Sequence, residues 1–181
     1  MERIITLLPV GEVESDLMLW LCRPLRKFFK AGVNIYAVMK FPRDAFNPVR
    51  GQYFAALIIS RIRRCLSPGE QERILGVTEK DIYADELKFI FGKAEMPGQF
   101  ALISLARLRP SFYGYYEKKN LIRQRMLKEA VHELGHTWGL GHCSNPACAM
   151  HFSFSLKDTD NKEHSFCDSC RKKWQNASGG E

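Results

Sequence analysis

Residues 131–143 read VHELGHTWGLGHC, which brings three histidines, a glutamate and a cysteine into one short run. His132 and His136 are one helical turn apart, so on a helix their rings project from one face, about 6 Å apart along the axis. Two imidazoles so placed can close on one zinc at about 2.0–2.1 Å each. Glu133 is turned about 100° around the same axis. It reaches the outer side of a metal-bound water, where a carboxylate can take a proton that the zinc has already loosened. Taken alone, this pattern has a plain alternative: two surface histidines on a polar helix face. His142 weighs against that. A continued helix would carry it about 9 Å beyond His136 and far around the cylinder. It joins the pair only if the chain leaves the helix after Trp138 and doubles back. Gly139 stands where such a turn needs a left-handed residue, and Gly141 adds freedom before the third histidine. Three histidines with an open fourth position form a catalytic coordination set, since a structural zinc is closed by a fourth protein ligand.

The cysteines form a second constellation. Cys143 and Cys148 make one close pair and Cys167 and Cys170 another, in C-x-x-C spacing. Four thiolates grouped this way suit a tetrahedral zinc. The rivals are disulfides, disfavoured in a reducing compartment, and four unlinked thiols. The expectation is two zinc ions per chain, one catalytic and one structural. In an extended backbone neighbouring side chains point to opposite sides, so one short segment can give His142 to the first ion and Cys143 to the second. Cys22 and Cys65 lie in apolar helical patterns and read as buried core. His151 and His164 read as surface or supporting residues, because both sets are already full.

The chain that must position these groups has 181 residues, long enough for one domain with a substantial core. Its 45% hydrophobic and 26% charged composition is that of an ordinary globular protein. No apolar run is long enough to cross a bilayer. The N-terminus lacks the pattern of a secretory signal, so the expectation is a cytoplasmic protein. Lysine and arginine number 27 against 20 aspartates and glutamates, a net charge of +7. The basic clusters RIRR (61–64), EKKN (117–120) and RKKW (171–174) are short and interspersed with acids, which favours a solvated surface over a nucleic-acid partner.

Strands are expected at 3–10, 33–40, 73–83, 87–95 and 100–108, the last two joined as a hairpin by Met96-Pro97-Gly98. A helix over 16–30 carries Leu17, Leu21, Leu25 and Phe28 on one stripe, with Ser15 as cap, a kink at Pro24 and a stop at Gly32. Another is expected over 51–65. A third, 120–139, has Leu127, Ala130, Leu134 and Trp138 on the side opposite His132 and His136. The chain then becomes loop-rich and ends in a short helix and a polar tail, whose Asn176-Ala-Ser sequon reads as idle without secretion. The pattern gives an α/β layered domain with a mostly parallel sheet and one antiparallel strand.

HELGHTWGLGH (132–142) fits the H-E-x-x-H-x-x-G-x-x-H pattern of metzincin metallopeptidases. With C-x4-C-x-M at 143–150 and the distant C-x-x-C, the chain resembles the archaemetzincin family. NPVRGQY (47–53), RILGVTEKDIY (73–83) and ALISLARLR (101–109) carry the likeness upstream, and the Met150–Cys167 gap differs slightly in length from other members. The resemblance implies an α+β metzincin-like domain over 1–181, with an upper part about 1–139 and a lower, zinc-stapled part about 140–176. It implies a twisted five-stranded mixed sheet with 87–95 as the antiparallel edge strand, where an extended peptide could add. It also implies an active-site helix and a Met-turn in which Met150 is an apolar floor under the three-histidine zinc. The activity implied is peptide hydrolysis by a zinc-bound water with Glu133 as general base, in a monomer acting on a peptide or protein. Tyr113, Tyr115 and Tyr116 are candidate oxyanion donors. The rival readings are a non-catalytic two-zinc module that binds nucleic acid or protein, and hydrolysis of a non-peptide amide or ester.

Overall fold

The apolar run after Arg3 forms β1 (Ile4–Pro9), buried from Ile5 onward, and stops at Pro9 and Gly11. α1 (Ser15–Phe29) follows, runs uninterrupted through Pro24, and buries Leu17, Leu21, Leu25 and Phe29. Phe29, rather than Phe28, completes the buried stripe. The helix ends at Phe29, within a residue of the expected boundary, and Lys30 after it has a left-handed φ of 48°. The chain reversal lets the Gly32 N–H meet the Arg3 carbonyl at 2.8 Å and open β2 (Gly32–Ile35). β2 ends at Ile35, so the second half of the expected 33–40 strand lies outside it.

The computed structural model describes residues 2–85 and 87–179. Beyond β2 come β3 (Phe46–Asn47), β4 (Gln52–Phe54), α2 (Ala55–Cys65), β5 (Glu72–Thr78), β6 (Ile82–Ala84), β7 (Leu87–Ile90), β8 (Gly92–Ala94) and β9 (Phe100–Ser104). The central helix α3 (Lys119–Thr137) and the short α4 (Leu156–Asn161) and α5 (Asp168–Ala177) complete the order. Five strands form one sheet in the order β2-β1-β5-β9-β8, parallel except for the antiparallel pair β8–β9. The five-stranded mixed sheet with one antiparallel edge is therefore present.

A second, four-stranded sheet, β3-β4-β6-β7, was not expected. Two stretches read as single strands divide between the sheets. Residues 73–83 split into β5 and β6, and 87–95 split at Phe91 into β7, which pairs with β6, and β8, which pairs with β9. The antiparallel edge of the large sheet is thus 92–94 rather than 87–95. Phe91 is the pivot: its side chain is buried in the main core and its carbonyl accepts from the Ser104 N–H at 2.8 Å.

The two faces of the large sheet build two apolar clusters. Ile5, Leu7, Leu75 and Ile103 face α1 and α3, while Leu8, Ile74 and Leu102 face α2. Cys22 is half-buried against the first cluster, but Cys65 is exposed at the end of α2, where the helix has already left the core. α3 is buried nearly all round: Arg125, Glu129, His132, Glu133 and His136 are as hidden as Leu127, Ala130 and Leu134. It passes between the sheet, α1 and α4. Among the described residues no helix is long and apolar enough to cross a membrane.

Candidate metal centres

His132 and His136 are only 4% and 9% exposed, which rules out the reading of two surface histidines. Each imidazole donates its Nδ1 proton to a backbone carbonyl, His132 to Ala149 at 2.7 Å and His136 to Leu140 at 2.6 Å. Both protons are thereby committed, and both Nε2 atoms are left with bare lone pairs. Those two atoms face each other 3.0 Å apart. Two lone pairs at that distance repel unless a cation lies between them, and two zinc–nitrogen bonds of about 2.0–2.1 Å span roughly this gap. Burial holds both imidazoles below their ordinary basicity, His136 at about 4, so at neutral pH they are unprotonated.

His142 arrives by the reversal that Gly139 makes possible. Gly139 has φ 84°, its N–H bonds the His136 carbonyl at 2.8 Å, and the Leu140 N–H bonds the Gly135 carbonyl at 3.2 Å. This pair of bonds closes a helix end on a left-handed residue. The His142 ring centroid lies 4.9 Å from that of His136 and 5.5 Å from that of His132. The three donor nitrogens lie within 4.8 Å of one another. His142 itself is exposed, so one side of the set opens outward.

Glu133 is buried beside the set, on a cavity of about 230 Å³ that Phe89, Phe91, Glu129, His132, Phe152 and Phe154 also line. Burial raises its carboxyl well above the ordinary range, the Glu129 charge adds to this, and Lys162 and Lys93 oppose it. β8 comes so close that a Cβ on Gly92 would lie 2.5 Å from the Glu133 Oε1. Below the helix, a Cβ on Gly135 would lie 2.5 Å from the sulfur of the fully buried Met150. Met150 thus packs against bare helix backbone between the two histidines.

The four cysteine sulfurs also lie within 4.8 Å of one another. Cys143 and Cys167 are 3.8 Å apart, too far for a disulfide and close to the roughly 3.8 Å edge of a tetrahedron with 2.3 Å zinc–sulfur bonds. A backbone N–H at Cys170 helps to lower the Cys167 thiol to about 7, while burial raises Cys148 and Cys170. The two sets share a scaffold: the Cys143 N–H bonds the Met150 carbonyl at 2.9 Å, and His151 Nδ1 donates to the Cys143 carbonyl at 3.0 Å. Both donor sets fit zinc, nitrogen in one and sulfur in the other.

The tyrosines do not join the site. Tyr113, Tyr115 and Tyr116 line a different cavity with Leu121 and Leu156, and the Tyr113 hydroxyl donates to the Arg107 carbonyl at 3.1 Å. Sequence reasoning also passed over a buried ion pair. Lys162 Nζ lies 3.0 Å from Glu129 Oε1, with side chains 0% and 3% exposed. Thr159 donates to the same oxygen at 2.9 Å. No periodicity marks such a pair. Gly135 did carry a signal, since a glycine inside a helix costs about 1 kcal/mol against alanine and usually marks a close approach.

Residues 26–176 match the sequence pattern described as peptidase family M54. The archaemetzincin of Methanocaldococcus jannaschii is 44% identical over 167 residues, covering 92% of this chain and 90% of that protein. The archaemetzincin of Pyrococcus furiosus is 40% identical over 184 residues, covering 99% and 96%. Among solved structures, the archaemetzincin of Archaeoglobus fulgidus complexed with malonate has a TM-score of 0.82 and 39% identity, covering 94% of this chain and 99% of that one. A zinc-dependent peptidase from Methanocorpusculum labreanum has a TM-score of 0.84 and 31% identity, with the same coverage.

Proposed function

This chain belongs to peptidase family M54, the archaemetzincins, and is a zinc metallopeptidase; we propose that it hydrolyses peptide bonds at the three-histidine centre with Glu133 as the general base. The observation that carries the reading is the pair of bare Nε2 atoms of His132 and His136, 3.0 Å apart, with Glu133 buried next to them on the same helix. His132, His136 and His142 hold the catalytic zinc, and Cys143, Cys148, Cys167 and Cys170 hold a second, structural one. The catalytic ion supplies Lewis acidity, easing proton loss from water and polarising the scissile carbonyl.

The chain's own groups do the rest. The Ala149 and Leu140 carbonyls fix the tautomer and the aim of His132 and His136. Glu133 accepts the proton of the attacking water and passes it to the leaving amine nitrogen. Gly92 leaves room for that carboxyl against the edge strand. The 87–92 stretch forms one wall of the cavity and Phe152 and Phe154 the other, so an extended peptide lies between them. We read 1–181 as one catalytic unit in which 140–176 supplies the third histidine, the Met150 floor and the sulfur centre.

Glu133→Gln keeps the size and removes the base. Hydrolysis is expected to fall by roughly two or more orders of magnitude, within the range of about 10²–10⁴ for general-base contributions, while zinc content stays unchanged. Proteome-wide mapping of new N-termini made by the wild-type protein against Glu133→Gln identifies substrates and tests the role together. Equal cleavage of a confirmed substrate by both proteins removes Glu133 from the mechanism.

A further inference from the structure

A cleft of about 480 Å³ lies between the end of α1 and the 164–175 segment, and none of the histidine-centre residues line it. Arg3, Lys27, Lys30 and Arg171 surround it together with His164, and no aspartate or glutamate lines it. Among the described residues none of the four cations has a carboxylate within 4.0 Å. Among the described residues five other arginines, Arg61, Arg63, Arg107, Arg109 and Arg125, have acidic partners, and the remaining ones do not. Four like charges converging on one concavity repel one another, and an anion relieves that repulsion.

Three further features make this a built site rather than a charged surface. The floor is aromatic: Phe28 and Phe166 meet edge to face at 5.0 Å, and Trp174 lies beside them. Trp174 is 8% exposed, and its buried indole N–H has no hydrogen-bond partner among the described residues, which is rare for a buried donor. Arg3 is held in place, stacked 5.2 Å over the Trp174 ring with its guanidinium on the Ser178 carbonyl at 3.1 Å. Lys30 is the only non-glycine residue with a positive φ among the described residues. A cation suits a helix C-terminus, although the left-handed position there favours glycine.

We propose that this cleft binds a small phosphorylated ligand of nucleotide size, its phosphates held by Lys27, Lys30 and Arg171 and its ring or apolar part set on Phe28, Phe166 and Trp174. The volume lies within the range of about 300–1,000 Å³ usual for small-molecule pockets. Phosphate suits three converging cations better than a single carboxylate does, because its several oxygens each accept a charge-assisted bond. One wall belongs to the segment that carries Cys167 and Cys170, so the ligand would sit directly on the sulfur centre's helix.

The test is calorimetric titration of the full-length zinc-loaded protein with ADP and with inorganic pyrophosphate, each in excess magnesium, at low and high salt. The expected result is one ADP per chain with an affinity of about 1 mM or better, weakening as salt rises, and pyrophosphate binding more weakly. Lys27→Ala/Arg171→Ala is expected to weaken ADP at least about tenfold. Trp174→Phe, which keeps an aromatic side chain but shrinks the ring and removes the N–H, is expected to weaken it several-fold. Lys40→Ala/Arg43→Ala, in a separate basic cleft with Phe41 and Tyr53, is expected to leave it unchanged. No saturable ADP binding, or equal losses in the two double variants, overturns the site. Pyrophosphate binding as tightly as ADP overturns the role given to the aromatic floor.

Discussion

Replacing Lys162 with methionine removes a charge from the interior while keeping a chain of similar length. Lys162 is wholly buried, and Glu129 Oε1 receives both its ammonium at 3.0 Å and the Thr159 hydroxyl at 2.9 Å. The remaining polar contact of the ammonium is the His151 carbonyl at 3.4 Å. In Lys162→Met the Glu129 carboxylate keeps only the threonine, one helical turn from Glu133, whose own proton affinity Glu129 already raises. Breaking a buried pair from one side typically costs about 3–5 kcal/mol, because a buried charge is left uncompensated. Glu129→Gln strands the ammonium instead and is expected to cost a similar amount. The double variant, Glu129→Gln/Lys162→Met, strands neither charge, and Thr159 can still donate to the amide oxygen. Its cost is expected to fall at least about 2 kcal/mol short of the sum of the singles, within the coupling range for residues in contact. Urea unfolding of the zinc-loaded proteins at one fixed free-zinc level, followed by tryptophan fluorescence, measures all four corners, with equal slopes required for comparison. A loss below about 1 kcal/mol for Lys162→Met, or additivity in the double variant, would refute the argument that this pair clamps α3 to the segment after Met150.

Three other outcomes follow from the same geometry. Gly135→Ala sets a Cβ 2.5 Å from the Met150 sulfur; overpacking of about 1–3 kcal/mol should outweigh a helix-propensity gain of about 1 kcal/mol, lowering Tm in a thermal scan, whereas a higher Tm would mean that Met150 moves aside freely. Elemental analysis of protein purified without chelator should find two zinc ions per chain, the one on the outward-open histidine set released first; a single zinc with the four cysteines oxidised in pairs would contradict this. Cys167→Ser should lose the sulfur-bound ion and also weaken the histidine-bound one by about 10–100-fold, the usual range for supporting groups; wild-type affinity at the histidines in a folded variant would show the centres to be independent.

What the sequence made legible is the geometry that depends on near neighbours. The spacing of His132 and His136, the left-handed turn at Gly139 and the pairing of the cysteines each depend on a few consecutive bonds, and the folded chain brings both donor sets together. The edge strand was legible only in part. Residues 87–90 and 92–94 are extended on either side of a bend at Phe91, but which sheet each half joins depends on β6 and β9, which lie on either side in sequence and pair with opposite halves. Local composition also misjudged Cys65, which follows an apolar pattern but stands exposed where α2 leaves the core. The tyrosines failed as site candidates for a similar reason, since nearness to α3 in sequence did not place them on the Glu133 cavity. Glu129 and Lys162, and the four cations of the distal cleft, come from separate parts of the chain. Their meeting is a property of topology: a scan for charge runs marked Arg171 within RKKW (171–174) but not the residues that it meets.

The expected coupling of the two centres would run through one short segment. His132 is oriented by the Ala149 carbonyl, the Met150 sulfur fills the space at Gly135, and the Met150 carbonyl receives the Cys143 N–H. Cys143 adjoins His142 in sequence, and its own carbonyl accepts the Nδ1 proton of His151. The Ala149 N–H in turn bonds the Ser165 carbonyl at 2.9 Å, and Ser165 lies two residues before Cys167. A shift of the sulfur centre would therefore reach His142 along the chain and His132 through a single carbonyl. α3, buried on nearly all sides, holds Glu133 against β8. Loosening the cysteines should accordingly alter the aim of two histidines while leaving the base where it is. On the proposed mechanism this separates the two kinds of loss: Cys167→Ser should act on how tightly the ion is held, and Glu133→Gln on what happens once it is there.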